Sequence, residues 1–143
     1  MLFRRMNCLS VLLLASCFLA GCGGSGDGPV PAKGVVTFNG SPIAKISVSF
    51  VPVGGSGQIA EGTTDEQGNF KLRTLEPGDG AWVGDYQVSL KYVPDVIADM
   101  PAFTGGQKSE PSPIPAKYGN PSKSGFTATV DADASKNVFT FDL

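Results

Sequence analysis

The run Asp85-Tyr86-Gln87-Val88-Ser89-Leu90-Lys91-Tyr92 alternates polar and apolar side chains without a break. A period of two marks a strand with one buried face, because successive side chains point to opposite sides of a sheet. The same period recurs in shorter runs. Val36 and Phe38 alternate with Val35 and Thr37, Ile46, Val48 and Phe50 with Ser47, Ser49 and Val51, and Phe70 and Leu72 with Lys71 and Arg73. Near the end of the chain Phe126, Ala128 and Val130 share one face, as do Phe139, Phe141 and Leu143, and Ile59 to Thr64 fits one more short strand. Turn chemistry separates these runs. Asn39-Gly40 tolerates positive φ at both residues, Pro52 to Gly57 breaks the chain, and Asp65-Glu66-Gln67-Gly68-Asn69 and Glu76-Pro77-Gly78-Asp79-Gly80 form loops. No segment after residue 22 shows helical periodicity. Seven short strands with turns between them predict an all-β, antiparallel sandwich.

The first 21 residues follow a different rule. Arg4 and Arg5 precede an apolar stretch from Leu9 to Ala20, broken only by Ser10, Ser16 and Cys17. About a dozen residues are too few for the roughly 20 that cross a membrane, and they fit the apolar region of an export signal. The sequence Leu19-Ala20-Gly21-Cys22 resembles a bacterial lipobox. That resemblance implies cleavage between Gly21 and Cys22 by signal peptidase II, with a diacylglyceryl group on the Cys22 thiol and acylation of the new amino terminus. Cys8 and Cys17 fall in the removed segment 1–21, so the mature chain has Cys22 as its one thiol and no internal disulfide. An ordinary export signal cut nearby, leaving Cys22 a free thiol, is the alternative. One acyl chain binds membranes only marginally, whereas two or three on one residue anchor stably. Gly23, where an aspartate would resemble an inner-membrane retention signal, favours the outer membrane or cell surface.

The mature chain runs from Cys22 to Leu143, 143 − 21 = 122 residues, which suits one domain. Without Arg4 and Arg5 it carries 9 basic and 13 acidic side chains, a net of 9 − 13 = −4, with no basic cluster to attract nucleic acid. Residues 22–32 read as a lipidated cysteine and a Gly-rich tether, and 33–143 as the sandwich. The stretch from Pro94 to Pro115 holds five of the 11 prolines and little alternation, and reads as a surface loop or a functional excursion.

The skeleton Gly34-x-Val36-x-x-Asn39-Gly40-x-Pro42-Ile43, followed by Val48-x-Phe50, Thr64-Asp65-x-x-Gly68-x-Phe70 and Gly84-x-Tyr86-x-Val88, resembles the carboxypeptidase regulatory-like domain. The resemblance covers about Lys33 to Val93. It implies a seven-stranded antiparallel Greek-key β-sandwich of the transthyretin (prealbumin-like) type, an accessory module and not the peptidase. The closing segment, with Ile114-Pro115-x-Lys117-Tyr118 and alternating phenylalanines, resembles the end of small bacterial lipoproteins carrying this domain. The Pro94–Pro115 excursion departs from the usual, shorter domain.

Catalytic chemistry is hard to assemble from these residues. The chain has no histidine, which removes Ser-His-Asp and Cys-His arrangements and His-based zinc sites. Carboxylates remain. Asp131 with Asp133, and Glu76 with Asp79 and Asp85, offer oxygen ligands for calcium, but neither group has the spacing of an EF-hand loop. Asp65 reads as a turn-capping residue. Trp82, the one tryptophan, lies in the Gly-rich approach to a strand. It either plugs the open end of the sandwich or stacks on a sugar or protein partner. The expectation is a non-catalytic, cofactor-free protein held to a membrane through lipid on Cys22. Its sandwich would serve as an interaction or structural module for an unidentified protein, or alternatively as a carbohydrate-binding module.

Overall fold

The computed structural model describes residues 28–54, 57–94 and 111–143. The export signal, Gly21, Cys22 and most of the Pro-rich excursion lie outside these residues. Eight strands are present among the described residues: β1 (Lys33–Phe38), β2 (Ser41–Pro42), β3 (Ile46–Pro52), β4 (Ala60–Thr63), β5 (Asn69–Lys71), β6 (Gly84–Tyr92), β7 (Phe126–Val130) and β8 (Val138–Asp142). They form two sheets. In one the order is β4-β3-β6-β7, all antiparallel; in the other β1 lies at the centre, with β2 and β5 along one side and β8 along the other.

Each strand follows from its alternation. Ile46, Val48 and Phe50 of β3 and Val88 and Leu90 of β6 are buried, as are Val36, Phe70 and Phe141 from the other sheet, and all join one core. The sheets meet through aromatic rings. Phe50 packs edge-on against Phe139 and Phe141, at centroid distances of 5.2 and 6.1 Å, and Phe126 meets Phe141 at 5.3 Å. The Asn39-Gly40 turn takes the two positive φ values its residues permit, 51° and 78°, and sets Phe38 opposite Ser41.

The expected seven antiparallel strands need two corrections. The eighth strand is the two-residue β2, too short to show a period but placed opposite β1 by the tight turn. In addition β8 runs parallel to β1, with Gly34 opposite Phe139 and Val36 opposite Phe141. The reason is a crossover. β7 ends at the end of the sandwich where β1 begins, and the chain passes to the other sheet through a short 3-10 turn, Ala134–Lys136, before starting β8 there. A crossover between sheets delivers the strand in the same direction as β1, where a hairpin would reverse it.

Helical turns also appear where no periodicity exists to announce them. The 3-10 turn Ala116–Gly119 precedes a single helical turn, α1 (Pro121–Ser124), which has Asn120 as N-cap, Pro121 at its first position and Gly125 in the left-handed conformation after it. Ile114 is buried in the core, so the end of the Pro-rich stretch belongs to the packed fold rather than to a surface loop. At the other boundary Val30 already pairs with Ala81 and Ala32 is buried, so the last residues assigned to the tether are also part of the domain.

Gly34 is required by a close approach. A Cβ there would run into the carbonyl oxygen of Phe139 and lie 2.6 Å from Cζ of Phe70. The missing side chain lets β8 and the Phe70 ring close on β1. Gly34→Ala should therefore cost about 3 kcal/mol, the upper end for overpacking a core, read as a fall in the urea midpoint, and a value under about 1 kcal/mol would show that the strands can part to admit a methyl group.

Candidate functional site: the entry end of the sandwich

The registers place several segments at one end. β3 finishes there, β6 begins there opposite it, and β7 finishes beside the start of β6. β1 and β8 both start there, and β5 runs toward it. The N-terminal segment joins the domain at this entry end. Val30 and Ala81 exchange backbone hydrogen bonds of 2.7 and 3.0 Å.

Asn137, fully buried, ties the entry end together. Its side-chain oxygen accepts from the Asp131 amide at 2.8 Å, and its Nδ2 donates to the carbonyls of Asp131 at 2.9 Å and Pro31 at 3.4 Å. Its own carbonyl accepts from the Lys33 amide at 3.0 Å. One residue thus joins the entering chain, the β7–β8 crossover and the start of β1. Sequence reasoning missed it, because a lone asparagine after a Ser-Lys pair carries no signal of burial.

The carboxylates expected as possible calcium ligands are used by the loops themselves. Asp79 accepts from the amides of Thr74, Leu75 and Glu76 at 2.6, 2.9 and 2.9 Å. Desolvation pushes its pKa up, but the amides of Glu76, Thr74, Leu75 and Gly80 together outweigh it, and the carboxyl sits below its ordinary value of 3.8. Asp85, expected beside it, instead accepts from the Thr129 hydroxyl at 2.7 Å. Asp131 accepts from the Asp133 amide and pairs with Lys136 at 3.2 Å, and Asp133 accepts from the Ser135 amide and hydroxyl. These bonds lower both pKa values: for Asp131 the Asp133 amide first and then the Lys136 ammonium, for Asp133 the Ser135 hydroxyl and amide. Among the described residues no group of three or more His, Cys, Asp or Glu is arranged to hold a metal ion. At the far end Asp65 caps its turn, accepting from the amides of Gln67 and Asn69 at 3.0 and 2.9 Å.

Trp82 follows Ala81 directly at the entry end and is partly buried. Its carbonyl accepts from the Tyr86 hydroxyl at 2.8 Å, and burial raises the pKa of that hydroxyl, with the bond to Trp82 acting the other way. The indole Nε1 is buried and has no partner among the described residues. At the same end a shallow groove of about 480 Å³ lies between β4 and the Asp79 loop, lined by Ile59, Glu61, Arg73, Thr74 and Leu75. Antiparallel bonds between Glu61 and Arg73, both 2.8 Å, form its floor.

Large apolar side chains stand out at the same end. Val53, Ile59, Leu75 and Val83 keep 55, 51, 65 and 57% of their surface in solvent. None was singled out from the sequence, because an isolated apolar residue in a loop is unremarkable until the fold groups it with others.

No protein-family model, curated protein or solved structure matches this chain.

Two measurements test the construction of this end. Asn137→Ala leaves buried donors and acceptors without partners and should cost roughly 2–3 kcal/mol in chemical denaturation. Asp79 has a folded-state pKa below 3.8, so its contribution is complete above that value and is lost as pH falls through the lower folded value. The wild type should therefore lose stability below pH 3.8 more steeply than Asp79→Asn, and parallel pH curves would refute the assigned role.

Proposed function

We propose that this chain is a lipid-anchored protein of the bacterial cell envelope, with a non-catalytic β-sandwich of the transthyretin-like, carboxypeptidase regulatory-like type as an interaction or structural module. The observation that carries the anchor is the order Arg4-Arg5, apolar run, Leu19-Ala20-Gly21-Cys22 and Gly-rich chain, placed directly before a folded β domain. Gly23 favours the outer membrane or the cell surface. Support for the module comes from the two facing sheets, and from turns at Asn39-Gly40 and Asp65–Asn69 built as the family resemblance implies. Among the described residues no helix is long and apolar enough to cross a membrane.

A non-catalytic role is supported by what the carboxylates do. Asp79, Asp131 and Asp133 each satisfy loop amides, which leaves their geometry fixed by the fold and not by a substrate. The glycan alternative draws less support. A sugar-stacking tryptophan presents its ring and N–H to the ligand, whereas Nε1 of Trp82 is turned inward. Titration with envelope glycans is expected to leave Trp82 fluorescence unchanged, and saturable quenching by a defined glycan would replace the leading reading with this one.

The anchor is tested by intact mass of membrane-extracted protein beside a Cys22→Ala variant. The expected species starts at Cys22 and carries acyl mass that the variant lacks. A chain cut elsewhere and free of lipid refutes the anchor.

A further inference from the structure

We infer that the entry end of the sandwich rests on the lipid surface itself, with Val53, Ile59, Leu75 and Val83 and the ring of Trp82 in contact with the interfacial region. This deepens the proposed function and rests on its reading of Cys22 as the anchor. Of the six large apolar side chains at least half exposed among the described residues, five lie at this end: these four and Val138 at the start of β8. Only Val93 lies at the other end.

The residues form one rim. Val53 and Val83 sit at the adjoining ends of β3 and β6, and Ile59 leads into β4 on the other side of β3. Neighbouring strands are about 4.8 Å apart, so these three positions span roughly 10 Å across the strands, with a further stagger along them. Leu75 lines the groove next to Ile59. The rim is held in place by its own backbone. The Val53 amide donates to the Asp85 carbonyl at 2.9 Å, and the Asp79 carboxylate fixes the turn that carries Leu75. Folding has therefore ordered apolar groups toward solvent instead of leaving them in loose chain.

The tether decides what covers this rim. Val30 is the first of the described residues to pair with the domain, eight residues after Cys22. A Gly-rich linker of that length has a root-mean-square reach of about 16 Å and a fully extended reach of about 28 Å. The nine residues of β6 span about 30 Å. The entry end thus lies within the ordinary reach of an anchored Cys22. The far end, with the Asn39-Gly40 and Asp65–Asn69 turns, would need the linker fully extended along the side of the domain. Trp82 is half-buried at the rim with Nε1 turned inward, so it is the exposed part of its apolar ring that meets the interface. The charges point the same way. Glu61, Glu76, Asp79, Asp85, Asp131 and Asp133 lie at this end among Lys33, Lys71, Arg73 and Lys136, so acidic groups outnumber basic ones and no basic patch drives the contact. The contact is apolar, and anionic lipid should not strengthen it.

Trp82, the single tryptophan, reports the contact directly. The lipidated protein is reconstituted in phosphatidylcholine vesicles with or without brominated acyl chains. In parallel, the chain from Cys22 onward, with Cys22 as its one thiol, is coupled to a maleimide phospholipid in the same vesicles, which makes the measurement independent of lipidation in the cell. With attachment verified by flotation, Trp82 emission should fall about two-fold or more in the brominated vesicles, as expected for insertion at headgroup depth. A Leu75→Ser/Val83→Ser variant, altered only at exposed positions, should recover most of it. Equal emission in both vesicle types, with the chain attached, overturns the inference while leaving the lipoprotein reading intact. Equal emission together with concentration-dependent dimers in sedimentation assigns the rim to a second copy and also overturns it. Quenching unchanged in the double variant overturns the assignment of the contact to this rim. Failure of the anchor shows separately, as absent acyl mass in the native protein.

Discussion

The buried side chain of Asn137 joins three stretches of chain that are far apart in sequence: Pro31 before β1, Asp131 after β7, and its own position before β8. The last strand depends on this junction. β7 closes one sheet and β8 belongs to the other, so the chain passes between the sheets at the entry end through an exposed turn and re-enters the fold at the buried Asn137. A buried amide left without a partner costs as much as several exposed hydrogen bonds contribute. Asparagine supplies an acceptor and two donors in one plane, which meets the needs of Asp131 and Pro31 together. The parallel β1–β8 pairing follows, with the Leu143 amide bonded to the Thr37 carbonyl and Asp142 accepting from the Thr37 hydroxyl and the Gly40 amide.

The crossover delivers what the core most needs. Phe139 and Phe141 arrive on β8 and meet Phe50 from the opposite sheet, while Phe141 also reaches Phe70 and Phe126. With no cysteine after Cys22, cohesion between the sheets rests on this ring cluster and its aliphatic neighbours. Aromatic pairs each add about 0.5–1.5 kcal/mol beyond the area they bury. Gly34 is the counterpart of the cluster. It gives up a side chain near the start of β1 so that the Phe70 ring can lie across the strand and β8 can close beside it.

The sequence displays strongly whatever repeats at a fixed spacing. The β3, β6, β7 and β8 cores follow from period-two runs, and the Asn39-Gly40 and Asp65–Asn69 turns from residues that tolerate or cap a specific backbone. It hides what depends on partners distant in the chain. The two-residue β2 has no period, and the direction of β8 is set by a crossover whose decisive residue, Asn137, looks like any loop asparagine. Asn120-Pro121 and Gly125 do carry the cap signals of α1, but four residues offer no apolar face to confirm them. The acidic groups show the same limit from the other side. Asp79 and Asp85 are near neighbours in sequence, yet one turns to the amides of its own loop and the other to Thr129 on the next strand. Proximity along the chain suggested a shared ligand, whereas the separate hydrogen bonds each carboxylate could make decided its place.

The two ends of the sandwich differ in a way that composition alone would not reveal. At the far end the loops are closed by polar side chains, Asp65 and Asn120 among them, with Ile114 drawn into the core. At the entry end the Asp79 carboxylate is equally well satisfied, but its loop carries Leu75 outward, and Val53 and Val83 stand out at the ends of β3 and β6. Backbone satisfaction and side-chain burial are therefore uncoupled here. An ordered loop that keeps leucine in water forgoes about 1–2 kcal/mol that burial would supply. Substituting a polar residue at such a position would cost the loop nothing, since its geometry comes from Asp79 and not from Leu75. The backbone order of this loop thus rests on Asp79 and not on the leucine it carries outward.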